Sequence, residues 1–188
     1  MKHKRFNKNR FATCIVCLAV SFMTLITQET VAYYATSEIA SNVITSGDIA
    51  LKIVEKSGES EFPAEGVEVK TGDIVSKKVS VKNTGGHPFW LRIKLTNGIS
   101  NEALSADVFE IEFNNEDWIA GSDGYYYYKE IVQPGTETAK LFSQVKIAGS
   151  LDNAYNGEKA FLTVTAYGVQ SEFNGTGSPL DVAGWPDA

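Results

Sequence analysis

The sequence is poor in the residues that most enzymes and disulfide-braced domains depend on. It has two cysteines and two histidines in 188 residues. Cys14 and Cys17 both lie inside an apolar N-terminal run, and His3 lies just before it. A Cys-x-x-Cys spacing can carry redox chemistry or a metal. Within a leader, however, the pair sits in the bilayer and is discarded. Neither cysteine stands at the end of the run, where lipid attachment would place it. The chain beyond residue 32 therefore has no cysteine, and so no disulfide and no thiol nucleophile. Its one histidine, His87, sits beside Gly85, Gly86 and Pro88 in a turn-like stretch. A zinc site draws three or four ligands from His, Cys and carboxylates, so His87 reads as a loop residue and no metal is expected. No His-Glu-x-x-His, Gly-x-Ser-x-Gly, phosphate-loop or dinucleotide pattern is present. A Ser–His–Asp triad would rest on His87 alone. No catalytic residue and no cofactor is expected.

Long amphipathic helices are lacking too; only Asn101 to Val108 hints at a helical turn. No repeat, low-complexity run or interdomain linker is visible. The one long apolar run is at the start. Met1 to Arg10 is basic, Phe11 to Thr27 is mostly apolar, and Thr30–Val31–Ala32 offers small residues at the −3 and −1 positions of a cleavage site. Cleavage between Ala32 and Tyr33 is expected, which makes residues 1–32 a signal peptide. Cleavage after Ala35 would put bulky Tyr33 at −3. The competing reading is a retained anchor, for which the run is at the short end of a membrane span. The remaining 12 basic and 22 acidic residues give the mature chain a net charge of −10. Such a surface repels phosphate backbones and anionic membranes. Nucleic acid is excluded as a partner, and the membrane is met only through the leader.

What the mature chain does have is alternation. Ile49, Leu51 and Ile53 interleave with Asp48, Ala50 and Lys52. The same period of two marks Val67–Val69, Val79–Val81, Leu91–Leu95 and Phe109–Phe113. Asn83–Thr84–Gly85–Gly86, Asn97–Gly98, Ser122–Asp123–Gly124, Pro134–Gly135 and Asn156–Gly157 punctuate them as turns. With the tyrosine run Tyr125 to Tyr128, Leu141 to Ile147 and Phe161 to Val169, about eight strands result. That is an all-β chain, an antiparallel sandwich or barrel. Residues 48–170 form this domain, residues 33–47 an N-terminal segment before it, and residues 171–188 a surface tail with Trp185 as a candidate anchor. Alternate tyrosines of the run face opposite sides. Two are expected in the core and two exposed, which also suits a glycan-binding module with sugar rings on the tyrosines. The acidic clusters Asn114–Asp117 and Asp152–Glu158 read as solvated turns. The second places Gly157 sixth from Asp152, as in a calcium loop. Ala154 stands where a ligand is wanted, however, and the twelfth position is not glutamate. Asn174–Gly175–Thr176 matches a glycosylation sequon, a triplet that arises often by chance.

A family likeness runs along most of the chain. Thr30–Val31–Ala32–Tyr33–Tyr34–Ala35–Thr36 is followed by Thr45–Ser46–Gly47–Asp48–Ile49–Ala50–Leu51. Further on come Gly72–Asp73, Val79 to Gly85, Leu91 to Leu95 and Val164–Thr165–Ala166–Tyr167. In this order and spacing the chain resembles the TasA/camelysin family of secreted bacterial proteins. The resemblance implies a jelly-roll-like β-sandwich and export through a signal peptidase of the SipW type. It implies assembly into extracellular fibres of the biofilm matrix, or residence at the cell surface. Some members are described as metalloproteases, a role for which this chain lacks ligands. It is also shorter than the TasA pattern, without long insertions.

The fibre expectation has physical content of its own. Tyr33, Ala35, Ile39 and Val43 lie on one period-two face of residues 33–44, with Glu38 and Asn42 on the other. Such a segment can add as a strand to an open sheet edge of a second copy of the chain. Donor and acceptor lie at different places, so the contact is head-to-tail and propagates. The alternative is an edge strand within the monomer itself.

Overall fold

A computed structural model describes residues 33–35, 42–46, 49–63, 67–172, 174 and 177–186 of the chain. The expected signal peptide, with Ala32, and the donor residue Ile39 lie outside the described residues.

The described strands are, in chain order, β1 (Tyr33–Ala35), β2 (Asn42–Ser46), β3 (Leu51–Ser57), β4 (Ser60–Glu61), β5 (Val67–Val69), β6 (Ile74–Asn83), β7 (Phe89–Ile99), β8 (Phe109–Ile111), β9 (Trp118–Ala120), β10 (Tyr125–Tyr128), β11 (Phe142–Ile147) and β12 (Ala160–Gln170). Two five-stranded sheets form the sandwich, with orders β2-β12-β7-β10-β9 and β4-β3-β6-β11-β8. A separate ribbon pairs β1 with β5. From β6 onward the chain passes repeatedly between the sheets, and the last strand, β12, lies between β2 and β7. This interleaving, with the first and last strands of the sandwich, β2 and β12, adjacent, is jelly-roll-like, as expected. Pairing is antiparallel except between β2 and β12, which run parallel.

Alternation places the core. On β3, Leu51 and Ile53 point inward; on β6, Val79 and Val81; on β7, Phe89, Leu91 and Ile93; on β12, Leu162, Val164 and Ala166. Ile49, Trp118, Val132, Leu141, Phe142 and Val145 complete this cluster. Each large side chain removed from water in this way contributes roughly 1.5–3 kcal/mol. Thr165, Tyr167 and Val169, on the opposite face of β12, are buried as well. The cover is the C-terminal stretch. Val182 and Trp185 pack on Trp90 and Val169, and a short 3-10 turn at Pro179–Asp181 shapes the approach. The tail is thus a docked layer, with Trp185 as an anchor.

Three sequence expectations need correction. The sandwich begins at Asn42 rather than Asp48, because β2 joins the sheet edge beside Thr165–Val169. Asn97–Gly98 does not close a strand. β7 runs on to Ile99, because β12 pairs with all eleven of its residues and Phe161 packs on Gly98. Asn101–Val108 forms no helix but a turn, closed by the Leu104 N–H donating to the Asn101 carbonyl at 3.0 Å.

The Asn83–Gly85 turn ties β6 to the start of β3. The Thr84 and Gly85 amides both donate to the Ala50 carbonyl, at 2.9 and 3.1 Å. A Cβ on Gly85 would lie 2.7 Å from the Ala50 nitrogen, which leaves room for glycine alone. Asn83 Nδ2 donates to the carbonyls of His87 and Val132, and its Oδ1 accepts from the Gly85 amide.

Candidate functional site: an open strand edge over an apolar groove

β7 is unevenly covered. Along one side β12 pairs with every residue from Phe89 to Ile99. Along the other side β10 pairs only with Arg92, Ile93 and Lys94. The reason lies in the turn before β10. The Gly121 amide donates to the Tyr125 carbonyl at 2.7 Å, and Gly124 takes φ +82°, a left-handed conformation suited to glycine. The chain therefore enters β10 at Tyr125, too late to reach the second half of β7. Among the described strands, none pairs with Leu95–Ile99 on that side.

The facing sheet is also open here. β8 is its edge strand and pairs only with β11, over Phe109–Ile111. Between β8 and the uncovered half of β7 lies a groove of about 400 Å³. Leu95, Phe109, Ile111, Phe113 and Tyr126 line it, with Asn97 and Gly124 at its rim. Phe113 stacks on Tyr126 with ring centroids 4.2 Å apart and meets Phe142 edge-on. These side chains are only partly buried, and they are continuous with the core. On the outer side of β8, Glu110 pairs with Lys146 at 2.6 Å. A free strand edge above an apolar floor is the shape that an added strand completes: backbone groups supply hydrogen bonds and alternate side chains fill the floor.

The predicted donor residues divide. Tyr33 and Ala35 lie on β1, opposite Val69 and Val67 of β5. Val43 lies on β2, opposite Ala166 of β12. The structure does not bring them to one place; β1 and β2 join different partners in this conformation. Parallel pairing is slightly weaker per residue than antiparallel, and β2 is an edge strand.

The tyrosine run departs from expectation. Tyr126 and Tyr128 face inward, Tyr126 on Phe113 and Tyr128 on Trp118. Tyr125 and Tyr127 face outward but are buried under the tail. The Arg92 guanidinium lies 3.9 Å from the Tyr125 ring centre, 4.8 Å from that of Trp185 and 5.2 Å from that of Tyr167. Arg92 Nη2 donates to the Pro186 carbonyl at 3.1 Å. Burial, and then the Asp123 carboxylate that accepts its O–H at 2.6 Å, raise the Tyr127 pKa. Slight burial opposes ionisation of Asp123, but hydrogen bonds from Tyr127 and from the Tyr125 amide outweigh it and hold that carboxyl low. Within this run no pair of tyrosines is left as an open platform for sugar rings.

The acidic clusters act as turns. Asn114 Oδ1 accepts from the amides of Glu116 and Asp117, and its Nδ2 donates to Asp117. Asp152 caps a 3-10 turn by accepting from the Ala154 amide, while Glu158 accepts from Ser100 and Asn101. The sequon residue Asn174 is engaged at both ends of its amide, donating to the Gln170 carbonyl and accepting from the Ala183 amide. His87 lies 3.8 Å from Glu172 at the surface.

The sequence reading missed the groove because its residues look like ordinary inward positions of a sandwich. The available signal was the turn at Ser122–Asp123–Gly124, which starts the tyrosine strand late. No family model, no curated protein and no solved structure matches the chain.

Proposed function

We propose that the mature chain is a secreted, non-enzymatic structural protein of the cell surface or biofilm matrix that polymerises head-to-tail. In this reading a signal peptidase of the SipW type cuts between Ala32 and Tyr33, and residues 33–44 of one copy enter the groove beside β7 of the next. The observation that carries the reading is the half-covered β7 above a groove that combines apolar side chains with exposed polar groups. The spacing of Tyr33, Ala35, Ile39 and Val43 supports it, since they lie on one period-two face, with Ser37 and Ser41 between them, and offer aromatic, small and aliphatic side chains to the groove. The weak edge position of β2 supports it as well, because a strand docked in its own sheet must leave in order to be exchanged. The resemblance to TasA-type proteins points the same way. Release of the segment only on cleavage keeps assembly outside the cell.

N-terminal sequencing of secreted protein should begin at Tyr33. Negative-stain microscopy of that protein should show filaments. The double variant Ile39→Asp/Val43→Asp should show none while keeping the parent's circular dichroism. Filaments in the double variant would remove residues 33–44 from the contact. An N-terminus far from Tyr33 would remove the proposed release step.

A further inference from the structure

One ionisable pair stands where the sandwich should be apolar. Lys77 of β6 belongs to the alternation that places Val79 and Val81 in the core, and Glu55 of β3 belongs to the one that places Leu51 and Ile53 there. In the β3–β6 register Glu55 lies opposite Val79, so Lys77 is its diagonal neighbour on the inner face, within reach of two long side chains. Lys77 Nζ lies 3.1 Å from Glu55 Oε2, and the two side chains are 3% and 8% exposed. The Phe62 ring covers the amine, with its centre 4.2 Å from Nζ. Beside Lys77, Val75, Val145, Ile147 and Leu162 line an apolar cleft with a volume of about 30 Å³. A buried ion pair is weak support for stability, because both charges give up their hydration.

We propose that Glu55 and Lys77 condense into a side-chain amide that ties β3 to β6. Burial lowers the Lys77 pKa, while the carboxylate of Glu55 opposes that effect. In the condensation the Nζ–Cδ bond forms and one Cδ–O bond of Glu55 breaks. The departing oxygen leaves with two of the three ammonium protons, so that the ion pair becomes one amide bond and one water. Nothing is oxidised or reduced and no co-reactant enters. The adjacent cleft has room for the departing water. Close approach fixed by two paired strands supplies the proximity that condensation needs.

Mass spectrometry of the full purified chain tests this. The intact mass should fall short of the sequence mass by one water. Tryptic digestion after denaturation should yield a branched peptide joining Ile53–Lys56 to the segment that contains Lys77, with no cleavage after Lys77. Lys77→Arg keeps the cation but cannot form this amide, and should recover the full mass. An unshortened mass with normal cleavage after Lys77 overturns the proposal. So does a missing water that persists in Lys77→Arg, since the lost water would then come from another site.

Discussion

Replacing Asn83 by alanine should be among the costliest single changes in the domain. Asn83 is 0% exposed. Its side chain donates to the carbonyls of His87 at 2.9 Å and Val132 at 3.0 Å, and accepts from the Gly85 amide at 2.9 Å. Truncation removes all three bonds. The loss is tempered, because the Val132 carbonyl still accepts from the Phe89 amide at 3.3 Å and the Gly85 amide still donates to Ala50 at 3.1 Å. A net contribution of about 1 kcal/mol per hydrogen bond gives a destabilisation of about 3 kcal/mol for Asn83→Ala. With a urea slope near 2 kcal/mol per molar, the unfolding midpoint should fall by about 1.5 M. Asn83→Asp separates hydrogen bonding from volume. It keeps the shape but turns a carboxylate toward two carbonyl oxygens, so it should be worse than alanine at neutral pH. Folding raises the pKa of the new group above its unfolded value, so stability should return as pH falls and the protonated form donates one bond. A loss below about 1 kcal/mol for Asn83→Ala, or an aspartate variant that weakens further on acidification, would refute the reasoning.

Two other outcomes follow from the docked tail. Trp185→Ala removes a ring that packs on Tyr127 and Arg92; it should speed proteolysis within residues 171–186 and cost about 1–2 kcal/mol while leaving the core folded. Asp123 has its pKa lowered in the folded state, so its contribution is present above the unfolded carboxylate pKa and is lost as pH falls through the folded one; Asp123→Asn should lower stability at neutral pH, leave the acid limit little changed and so flatten the acid side of the stability profile.

The core was legible because a half-buried strand writes its own period of two. Val79 and Val81, Leu91 and Ile93, Phe142 and Val145, and Leu162 and Val164 all lie where alternation or apolar runs placed them. β2 was legible only as the alternative of an edge strand within the monomer, without its partner. Asn42–Val43–Ile44–Thr45–Ser46 is an edge strand held by a parallel partner far along the chain, and nothing local announces that pairing. The end of β7 was misread because Asn97–Gly98 has turn chemistry, which eleven consecutive pairings to β12 override. Lys77 was visible as a break in the alternation of β6, but the sequence could not show that Glu55 reaches it diagonally. The groove is harder still to read, since it arises from a strand that starts too late. Only the early turn at Ser122–Asp123–Gly124 hints at it.

Mixing two blocked variants tests the head-to-tail account most directly. Ile39→Asp/Val43→Asp spoils the donor and leaves the groove intact. Asn97→Trp fills the groove from an exposed rim position and leaves the donor intact. Each alone should remain monomeric with native circular dichroism. Combined in equal amounts, they should form one-to-one dimers and no filaments, because one working donor meets one working groove and the chain cannot extend. Filaments from either variant alone, or no association on mixing, would contradict the account.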